Sequence, residues 1–488
     1  MNARRIEAGY LPGLDAAQVQ WQVLPFGQGD ARIEVAVPVL APDQMTALAG
    51  RVRAAAARHL KTMTVSEIIA VIDRAVARLL DPADPVRREA DALLPIVSGY
   101  DAEMVRLGLT GFLKTFRAPQ LHRFVAEDFA NPKVLDGFQP AAKGGAVRAF
   151  GPQLLVHSWA GNVPALSLWS LVCGLLVKAG TVGKLPSAEP LFAGWFGRLL
   201  AEVHPPLADC LAVVWWRGAG EEGADALYAQ ADTVVAYGGN EALASIQQRL
   251  PVTTRFLGYG HKLGFGVVSA AALDAVNAPV LARRAAWDVM RYDQQGCYSP
   301  HVFYVQRGGA VSPREFAAYL AGELANLQRR YPRRALELAE SAALAKWRQA
   351  IEWQAPVAGR APDVLLGDPD AAWSVVHTDV PAALVPTALQ RSIVVAAIDG
   401  FDEAVAAVAD RSRFLQTAGV AATPEELYAL AERLGAVGVT RISALGAMSV
   451  PEAGWHHDGR FNLLDLVRMT EIEQSAELAA EPYARYQP

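Results

Sequence analysis

One cysteine of this sequence stands in a setting suited to covalent chemistry. Cys297 follows Gly296 in a polar loop and is flanked by Gln295 and Tyr298. A polar, glycine-bearing loop between a helix and a strand can present a thiol, whereas a helix interior hides it. A thiolate attacks carbonyl carbon well and forms a thioester that remains reactive, so sulfur suits acyl chemistry. On the residues alone, a nucleophile and a packed structural cysteine are equally good interpretations of Cys297.

The other two cysteines fit a structural role. Cys173 lies inside an apolar helical segment and Cys210 directly precedes an apolar run, so we interpret both as small buried hydrophobic residues. Three cysteines without a close pair argue against a secreted disulfide framework and are typical of a reducing cytoplasm.

An asparagine amide is the second group with chemical potential. Asn162, in the segment Gly161–Pro164, follows an apolar strand and precedes a helix. Such a residue can cap the helix, which is the simpler interpretation on the residues alone. The same geometry would let the amide donate a hydrogen bond to the oxyanion that forms when a thiolate adds to a carbonyl group.

Two glycine turns could bring the backbone close to a cofactor. Gly218–Gly223 spells GxGxxG after a strand and before a helix, but Glu221 and Glu222 would repel a pyrophosphate there. The pair Gly238 and Gly239 also ends a strand and carries fewer acids, so it is the better place for a planar ring or a phosphate.

The elements that must position these groups follow an α/β pattern. Between residues 150 and 270, continuous apolar strands alternate with helices, which predicts a parallel sheet covered on both faces. Such sheets bind ligands outside the carboxyl ends of their strands. The predicted strands are Leu154–His157, Thr181–Leu185, Leu211–Trp216, Thr233–Tyr237 and Arg255–Leu257. A further α/β pattern runs from about residue 374 to residue 446.

Composition excludes several classes of protein. Of the 488 residues, 52% are hydrophobic and 19% are charged, which is incompatible with a disordered or coiled-coil chain. The 45 basic against 50 acidic residues provide no positive field for phosphates, so we expect no nucleic-acid partner. The sequence has no CxxC or HExxH motif, and the adjacent His456 and His457 would point apart, so we expect no metal site.

One uncharged segment has the length of a membrane span. Leu154–Val177 carries no formally charged side chain. The interruption Gly161–Pro164 would leave backbone groups without hydrogen bonds in lipid, so we expect no span. The first thirty residues lack the pattern of a signal peptide, and we expect a cytoplasmic protein.

Taken together and in this order, the motifs resemble those of the acyl-CoA reductase (LuxC) family. This family comprises the fatty acid reductases of bacterial bioluminescence and their relatives, a branch of the aldehyde dehydrogenase superfamily. The resemblance covers about residues 145–475. The motifs that carry it are Ala160–Pro164, Asp232–Gly239, Gly258–Lys262, Gln294–Pro300 and Leu463–Arg468.

The resemblance implies an aldehyde dehydrogenase-like α/β fold. Residues 1–270 would hold an N-terminal segment and a Rossmann-type, dinucleotide-binding domain with its core at 150–270. Residues 271–445 would form the α/β catalytic domain with the thiol. Residues 446–488 would return to the cofactor domain as a small oligomerisation segment, and a homodimer or homotetramer is implied.

The resemblance also implies roles for the catalytic residues. Cys297 would be the catalytic thiol, and Asn162 would form the oxyanion hole together with the backbone N–H of Cys297. His261 would polarise groups near the thiol, although a packed, hydrogen-bonded histidine is an equally good interpretation.

Four residues would bind the cofactor by the same resemblance. Lys184 would contact the adenosine ribose, and Gly238 and Gly239 would lie against the nicotinamide half. Ser187 stands where NAD-preferring relatives often carry a glutamate that holds the ribose hydroxyls. Without that carboxylate a 2′-phosphate is not repelled, so we expect NADPH, with NADH as the alternative.

Two departures from the superfamily pattern refine the expected reaction. Gly258 replaces the glutamate that activates water in aldehyde-oxidising relatives, and a second glutamate, expected near Gln390 and Arg391, is also missing. A thioester without a nearby base for water survives until a thiol or a hydride reaches it. We therefore expect an NADPH-dependent reductase that converts a long-chain acyl-CoA or acyl-carrier thioester to the aldehyde through a cysteine acyl-enzyme.

Other functions stay open at this point. An acyl-phosphate reductase of the same superfamily would use the same thiol and hydride, and a cysteine acyltransferase would use the thiol without redox chemistry. A catalytically silent subunit of a reductase complex is the third alternative. A partner protein that delivers the acyl group is also implied by the resemblance.

Overall fold

A computed structural model describes residues 4–218, 222–357 and 363–485 of the chain. The N-terminal strands β1 (Arg4–Glu7), β2 (Gln20–Phe26) and β3 (Ile33–Val39) form a sheet in the order β1-β3-β2. Helices with their apolar faces buried follow this sheet: α1 (Pro42–Arg58), α2 (Val65–Leu80), α3 (Pro85–Ser98), α4 (Ala102–Lys114) and α5 (Ala118–Asp128).

A parallel sheet, here called the first sheet, forms the next unit. Its elements in chain order are β6 (Leu154–Ser158), α6 (Ser167–Leu176), β7 (Gly180–Lys184), α7 (Phe192–Val203), α8 (Pro205–Ala208), β8 (Leu211–Val214), α9 (Glu222–Tyr228), β9 (Thr233–Tyr237), α10 (Asn240–Arg249) and β10 (Arg255–Tyr259); β4 (Gln139–Pro140) and β5 (Ala146–Phe150) precede them. The strand order is β10-β9-β6-β7-β8, and all pairs are parallel. This confirms the predicted Rossmann-type sheet.

Helix α7 begins three residues later than the sequence pattern suggests. The sequence favours a helix from Glu189, but the Glu189 carboxylate accepts hydrogen bonds from the backbone N–H groups of Leu191 and Phe192, both at 2.9 Å. Glu189 therefore lies before the helix and satisfies N–H groups at its start, which lack partners within the helix.

A second sheet carries the loop of Cys297. Its elements in chain order are β11 (Leu263–Val268), α11 (Asn277–Met290), β12 (Pro300–Gln306), α12 (Pro313–Arg330), α13 (Leu338–Val357), β13 (Val364–Leu366), β14 (Ser374–Thr378), β15 (Ser392–Ile398), α14 (Phe401–Ala409), β16 (Leu415–Ala421), α15 (Pro424–Ala436) and β17 (Arg441–Ala444). The order is β13-β14-β15-β12-β11-β16-β17, with β13 antiparallel to β14 and the other pairs parallel. Strand β11 lies before residue 270, the division expected from the resemblance, and pairs within this second sheet.

The C-terminal segment folds back onto the chain just ahead of the first sheet. Strand β18 (Arg468–Ile472) pairs antiparallel with β5, and helix α16 (Gln474–Ala480) follows it. The Asp128 carboxylate, at the end of α5, accepts hydrogen bonds from the backbone N–H groups of Leu463 and Leu464. The segment that precedes β18 is thereby fixed to the N-terminal helices.

Candidate active site

The first sheet has a crevice where its strand order reverses. The chain runs from β6 to β7 and β8 on one side, then places β9 and β10 on the other side of β6. Loops that leave β6 and β9 therefore diverge at their carboxyl ends, the usual ligand site of open α/β sheets. The loop after β6 carries Asn162 and the loop after β9 carries Gly238 and Gly239, and all three residues line one cavity of about 420 Å³.

Cys297 lines the same cavity from the second sheet. It lies in the loop between α11 and β12 and is partly exposed, whereas Cys173 and Cys210 are buried. The structure thus places Cys297, Asn162, His261 and the glycine pair around one cavity.

The loop of Cys297 has an unusual backbone that buried contacts hold in place. Tyr292, Asp293 and Gln294 have φ angles of 48°, 49° and 65°, the left-handed region that side chains rarely adopt. The Gln294 side chain exchanges two hydrogen bonds with the backbone of Ser392, of 2.7 Å and 2.9 Å. Strain of this kind persists only where the surroundings over-determine it, as they do here.

The surroundings of Cys297 favour the protonated form of its thiol. Burial raises its pKa to about 11; a hydrogen bond from Gln416 opposes this shift, and the nearby Asp458 carboxylate adds to it. A base is therefore needed to take the thiol proton when the thiol acts as a nucleophile.

Asn162 lies directly against the thiol loop. Its Nδ2 donates to the backbone carbonyl of Gln295 at 2.5 Å, and the backbone carbonyl of Asn162 accepts from the Tyr100 hydroxyl at 2.9 Å. An amide nitrogen carries two hydrogens, so Nδ2 can serve Gln295 and a ligand in the cavity at once.

Three histidines line the cavity that holds the thiol: His261, His301 and His457. Burial lowers the pKa of His261, which favours its neutral imidazole. Burial also lowers the pKa of His301, to about 4, and its Nδ1 accepts the backbone N–H of Thr387 at 3.1 Å. The second histidine has no sequence signal beyond its place at the start of a strand.

The two remaining cofactor candidates lie at the same sheet edge but do not line the cavity. Lys184 ends β7, paired with Ser158 of β6, and its Nζ lies 5.8 Å from the ring centroid of Trp216. Ser187 is exposed, and its Oγ accepts from Trp215 Nε1 at 3.2 Å. In the GxGxxG motif Gly218–Gly223, residues 219–221 lie outside the described part of the chain.

An aromatic stack beside the glycine loop was not predicted from the sequence. Tyr237 and Tyr259 are register partners at the ends of β9 and β10, and their rings stack at 4.9 Å. The His457 ring stacks on Tyr259 at 4.5 Å and lies 4.8 Å from Trp455. Each tyrosine directly precedes a glycine that lines the cavity. This Tyr-Gly pair at the end of two neighbouring strands is the sequence signal that could have revealed the stack.

Two further properties concern membranes and metals. Among the described residues, no helix combines the length and the hydropathy that crossing a bilayer requires. In the same part of the chain, histidine, cysteine and acidic side chains do not gather in threes as ligands for a metal ion.

The protein has the fold of the aldehyde dehydrogenases. Aldehyde dehydrogenase C from Pseudomonas syringae, in complex with NAD⁺ and octanal, aligns with a TM-score of 0.73 over 96% of this chain and 96% of its own, at 17% identity. Aldehyde dehydrogenase 21 from Physcomitrella patens, in complex with succinate, aligns with a TM-score of 0.72 over 97% of this chain and 99% of its own, at 14% identity.

Within that class, the chain belongs to the acyl-CoA reductase (LuxC) family, which it matches over residues 60–469. Similar proteins are the long-chain acyl-protein thioester reductases of Photorhabdus luminescens (26% identity over 79% of this chain and 77% of that protein) and Vibrio harveyi (24% over 77% and 76%). The resemblance seen in the motifs is confirmed. It also reaches further towards the N-terminus than the motifs themselves, because the match begins at residue 60.

Proposed function

We propose that this protein reduces an acyl thioester to an aldehyde, with Cys297 as the carrier of the acyl group and NADPH as the reductant. The family and the aldehyde dehydrogenase fold support reduction of an acyl thioester. The observation that carries the proposal is the shared cavity, which is lined by the thiol of Cys297, the amide of Asn162 and the Gly238–Gly239 loop.

The first half of the reaction is acyl transfer to the thiol. Neutral His261 takes the thiol proton, Sγ adds to the thioester carbon, and the carbonyl electron pair moves to oxygen. The Asn162 amide and the Cys297 backbone N–H stabilise that oxyanion. Its collapse breaks the C–S bond of the substrate, and the leaving thiolate takes the proton from His261.

The second half returns the thiol to its starting state. The chemistry that a nicotinamide supplies when bound is a hydride for the carbonyl carbon of the acyl group. The resulting alkoxide oxygen again faces Asn162. When the aldehyde C=O forms, the bond to Sγ breaks and its electron pair returns to the sulfur. The Cys297 thiolate then takes a proton from solvent, which restores the thiol.

The lining of the cavity favours reduction over hydrolysis. Of the described residues that line it, none is an aspartate or a glutamate. Gly258, where aldehyde-oxidising relatives would place a base, lies in β10 against Phe256 and Leu243. The acyl-enzyme thus has no carboxylate in the cavity lining to activate water, which gives a hydride time to react.

The cofactor candidates fit a dinucleotide. A Cβ built on Gly239 would meet no atom within 4 Å, so the loop offers an open backbone surface for a flat ring. Lys184 would hold the adenosine ribose at the next strand end. With Ser187 in place of a carboxylate, a 2′-phosphate can approach, which favours NADPH over NADH.

The substrate class follows from the relatives and the cavity. Their names specify long-chain acyl-protein thioesters, so we infer a long acyl chain delivered by CoA, a carrier protein or a partner acyltransferase. Phe112, Leu166 and Trp169 form an apolar part of the lining that suits such a chain. We further propose a cytoplasmic homodimer or homotetramer in which residues 446–488 contribute to the interface.

The test of the proposed function follows NADPH absorbance while the aldehyde is trapped with a hydrazine. With acyl-CoAs of increasing chain length as substrates, the amount of NADPH consumed should equal the amount of aldehyde formed. Turnover with acyl phosphate but not acyl-CoA would indicate the phosphate-linked reductase. Acyl transfer to thiols without NADPH consumption would indicate an acyltransferase, and either result would overturn the proposal.

A further inference from the structure

Gln416 contacts the Cys297 thiol from strand β16. Its Nε2 lies 3.4 Å from Sγ of Cys297 and 2.7 Å from Oδ1 of Asp458. The Gln416 side chain is completely buried, so both contacts are made away from bulk water. Because Gln416 and Cys297 are far apart in the sequence, no local motif could have predicted this contact.

The Asp458 carboxylate fixes which end of the amide faces the sulfur. An ionised carboxylate only accepts hydrogen bonds, so the group 2.7 Å away must be the NH₂ and not the carbonyl of Gln416. The same nitrogen then directs its second hydrogen at Sγ. The amide oxygen has its own partner, the Thr417 hydroxyl at 3.3 Å.

Asp458 is itself held in place. Its side chain is 8% exposed, with Lys262 Nζ at 3.8 Å and His457 Nε2 at 3.9 Å. Its backbone adopts φ +53°, a left-handed conformation that aspartate tolerates better than most residues. The carboxylate therefore offers a fixed acceptor to Gln416.

We propose that Gln416 is a catalytic residue of the reaction described above, and this inference rests on that proposed function. Its amide donates to Cys297 Sγ whenever the sulfur carries negative charge, before attack on the thioester and again as the aldehyde leaves. Asp458 orients the amide, so that a donor stands between the thiolate and the carboxylate.

Two opposing effects act on the thiol, and this makes the proposal testable. The Gln416 hydrogen bond lowers the pKa of Cys297, whereas the negative charge of Asp458 raises it. Other titratable and charged groups near the thiol or in its cavity are Arg441, Arg291, Lys262, His261, His301, His457, Tyr237, Tyr259, Tyr292 and Tyr298.

The experiment measures the rate at which iodoacetamide alkylates Cys297, read from its peptide by mass spectrometry between about pH 7 and about pH 9. Gln416→Met keeps the side-chain length but removes the donor, so we expect about ten-fold slower alkylation at each pH. In that background, Asp458→Asn removes only the opposing charge and should recover about three-fold or more of the rate. Damage to packing would not be reversed by removing a charge.

Gln306→Met is the matched control. Gln306 is also a strand glutamine of the second sheet with two backbone partners, Ala270 and Asp399, and it does not line the cavity. This variant should be alkylated at the wild-type rate. Gln416→Leu replaces Gln416→Met if the methionine variant does not fold, as judged by thermal unfolding.

A folded Gln416→Met or Gln416→Leu variant that is alkylated at the wild-type rate would overturn the proposal. So would a double variant with Asp458→Asn that is alkylated no faster than the corresponding Gln416 single variant. The assay contains no acyl substrate and no cofactor. Its failure therefore counts against Gln416 alone, whereas failure of acyl-enzyme formation counts against the proposed function.

Discussion

The carboxylate of Asp293 lies 2.7 Å from Nε of Arg391, and both side chains are completely inaccessible to solvent. Asp293 belongs to the left-handed turn ahead of Cys297, and Arg391 immediately precedes β15. Arg391 also donates to Gln328 at 2.6 Å. The ion pair therefore fixes the thiol loop to the second sheet, and it lies near the position where the resemblance led us to look for a missing glutamate.

Removal of one partner of this pair should be costly. Asp293→Asn leaves the buried Arg391 without its counter-charge, and we expect the free energy of unfolding to fall by about 3–5 kcal/mol. Denaturant unfolding measures this change. The double variant Asp293→Leu/Arg391→Met is the control, because it leaves no unpaired charge and should lose less stability than the single variant. Equal stability of Asp293→Asn and the wild type would show that the pair does not hold the loop.

Asn162→Ala should impair turnover without disabling the thiol. Loss of one oxyanion donor typically lowers kcat by about 10²–10³-fold, and we expect a loss of this size with little change in KM. Alkylation of Cys297 passes through no oxyanion, so its rate should stay within about two-fold of the wild-type rate. A parallel loss of alkylation and turnover would instead mean that Asn162 only supports the Gln295 backbone.

Ser187→Glu should shift the cofactor preference towards NADH. The new carboxylate would repel a 2′-phosphate and could accept from ribose hydroxyls, so the ratio of kcat/KM for NADPH to that for NADH should fall about ten-fold or more. Ala188→Glu places the same charge on the adjacent exposed residue and should change the ratio much less. If the ratio is unaltered in Ser187→Glu, Ser187 does not lie at the site that binds the adenosine ribose.

Glu189 predicts a specific dependence of stability on pH. Burial raises its pKa to about 7, so the folded state holds this proton more tightly than the unfolded chain does. Its contribution to stability is full below the ordinary glutamate pKa of about 4.3 and is lost as the pH rises through the folded value. Glu189→Gln should therefore reduce the loss of unfolding free energy between about pH 5 and about pH 8. Burial also raises the pKa of Asp288 to about 7, and Asp288 is present in both the wild type and Glu189→Gln. An identical loss of unfolding free energy in the two proteins would therefore show that Glu189 does not contribute to the pH dependence.

Local sequence predicted the groups that occupy strand ends. Asn162 and Gly238 each follow an apolar strand, and the parallel pattern of those strands places their carboxyl ends at one edge. Cys297 was marked by its glycine-bearing loop. These features depend on a few adjacent residues, which is why sequence patterns capture them.

Features made by packing of distant segments were not predictable. Strands β11 and β16 have weak sequence signals because glycines interrupt them, and the structure shows why: a Cβ on Gly266 would clash with Phe303, and one on Gly419 would clash with Met448. Gln416 lies on β16, so its approach to the thiol depends on a strand that the pattern did not reveal. The contact with Asp458 further depends on a turn in the C-terminal segment.

The most direct test of the account is acyl-enzyme labelling with a radioactive long-chain acyl-CoA in the absence of NADPH, followed by peptide mapping. We expect one labelled peptide, the one that contains Cys297, and release of the label as aldehyde when NADPH is added. Cys297→Ala should abolish labelling, while Cys173→Ala should retain it. Stable labelling of the Cys297→Ala protein would contradict the central claim that this sulfur carries the acyl group.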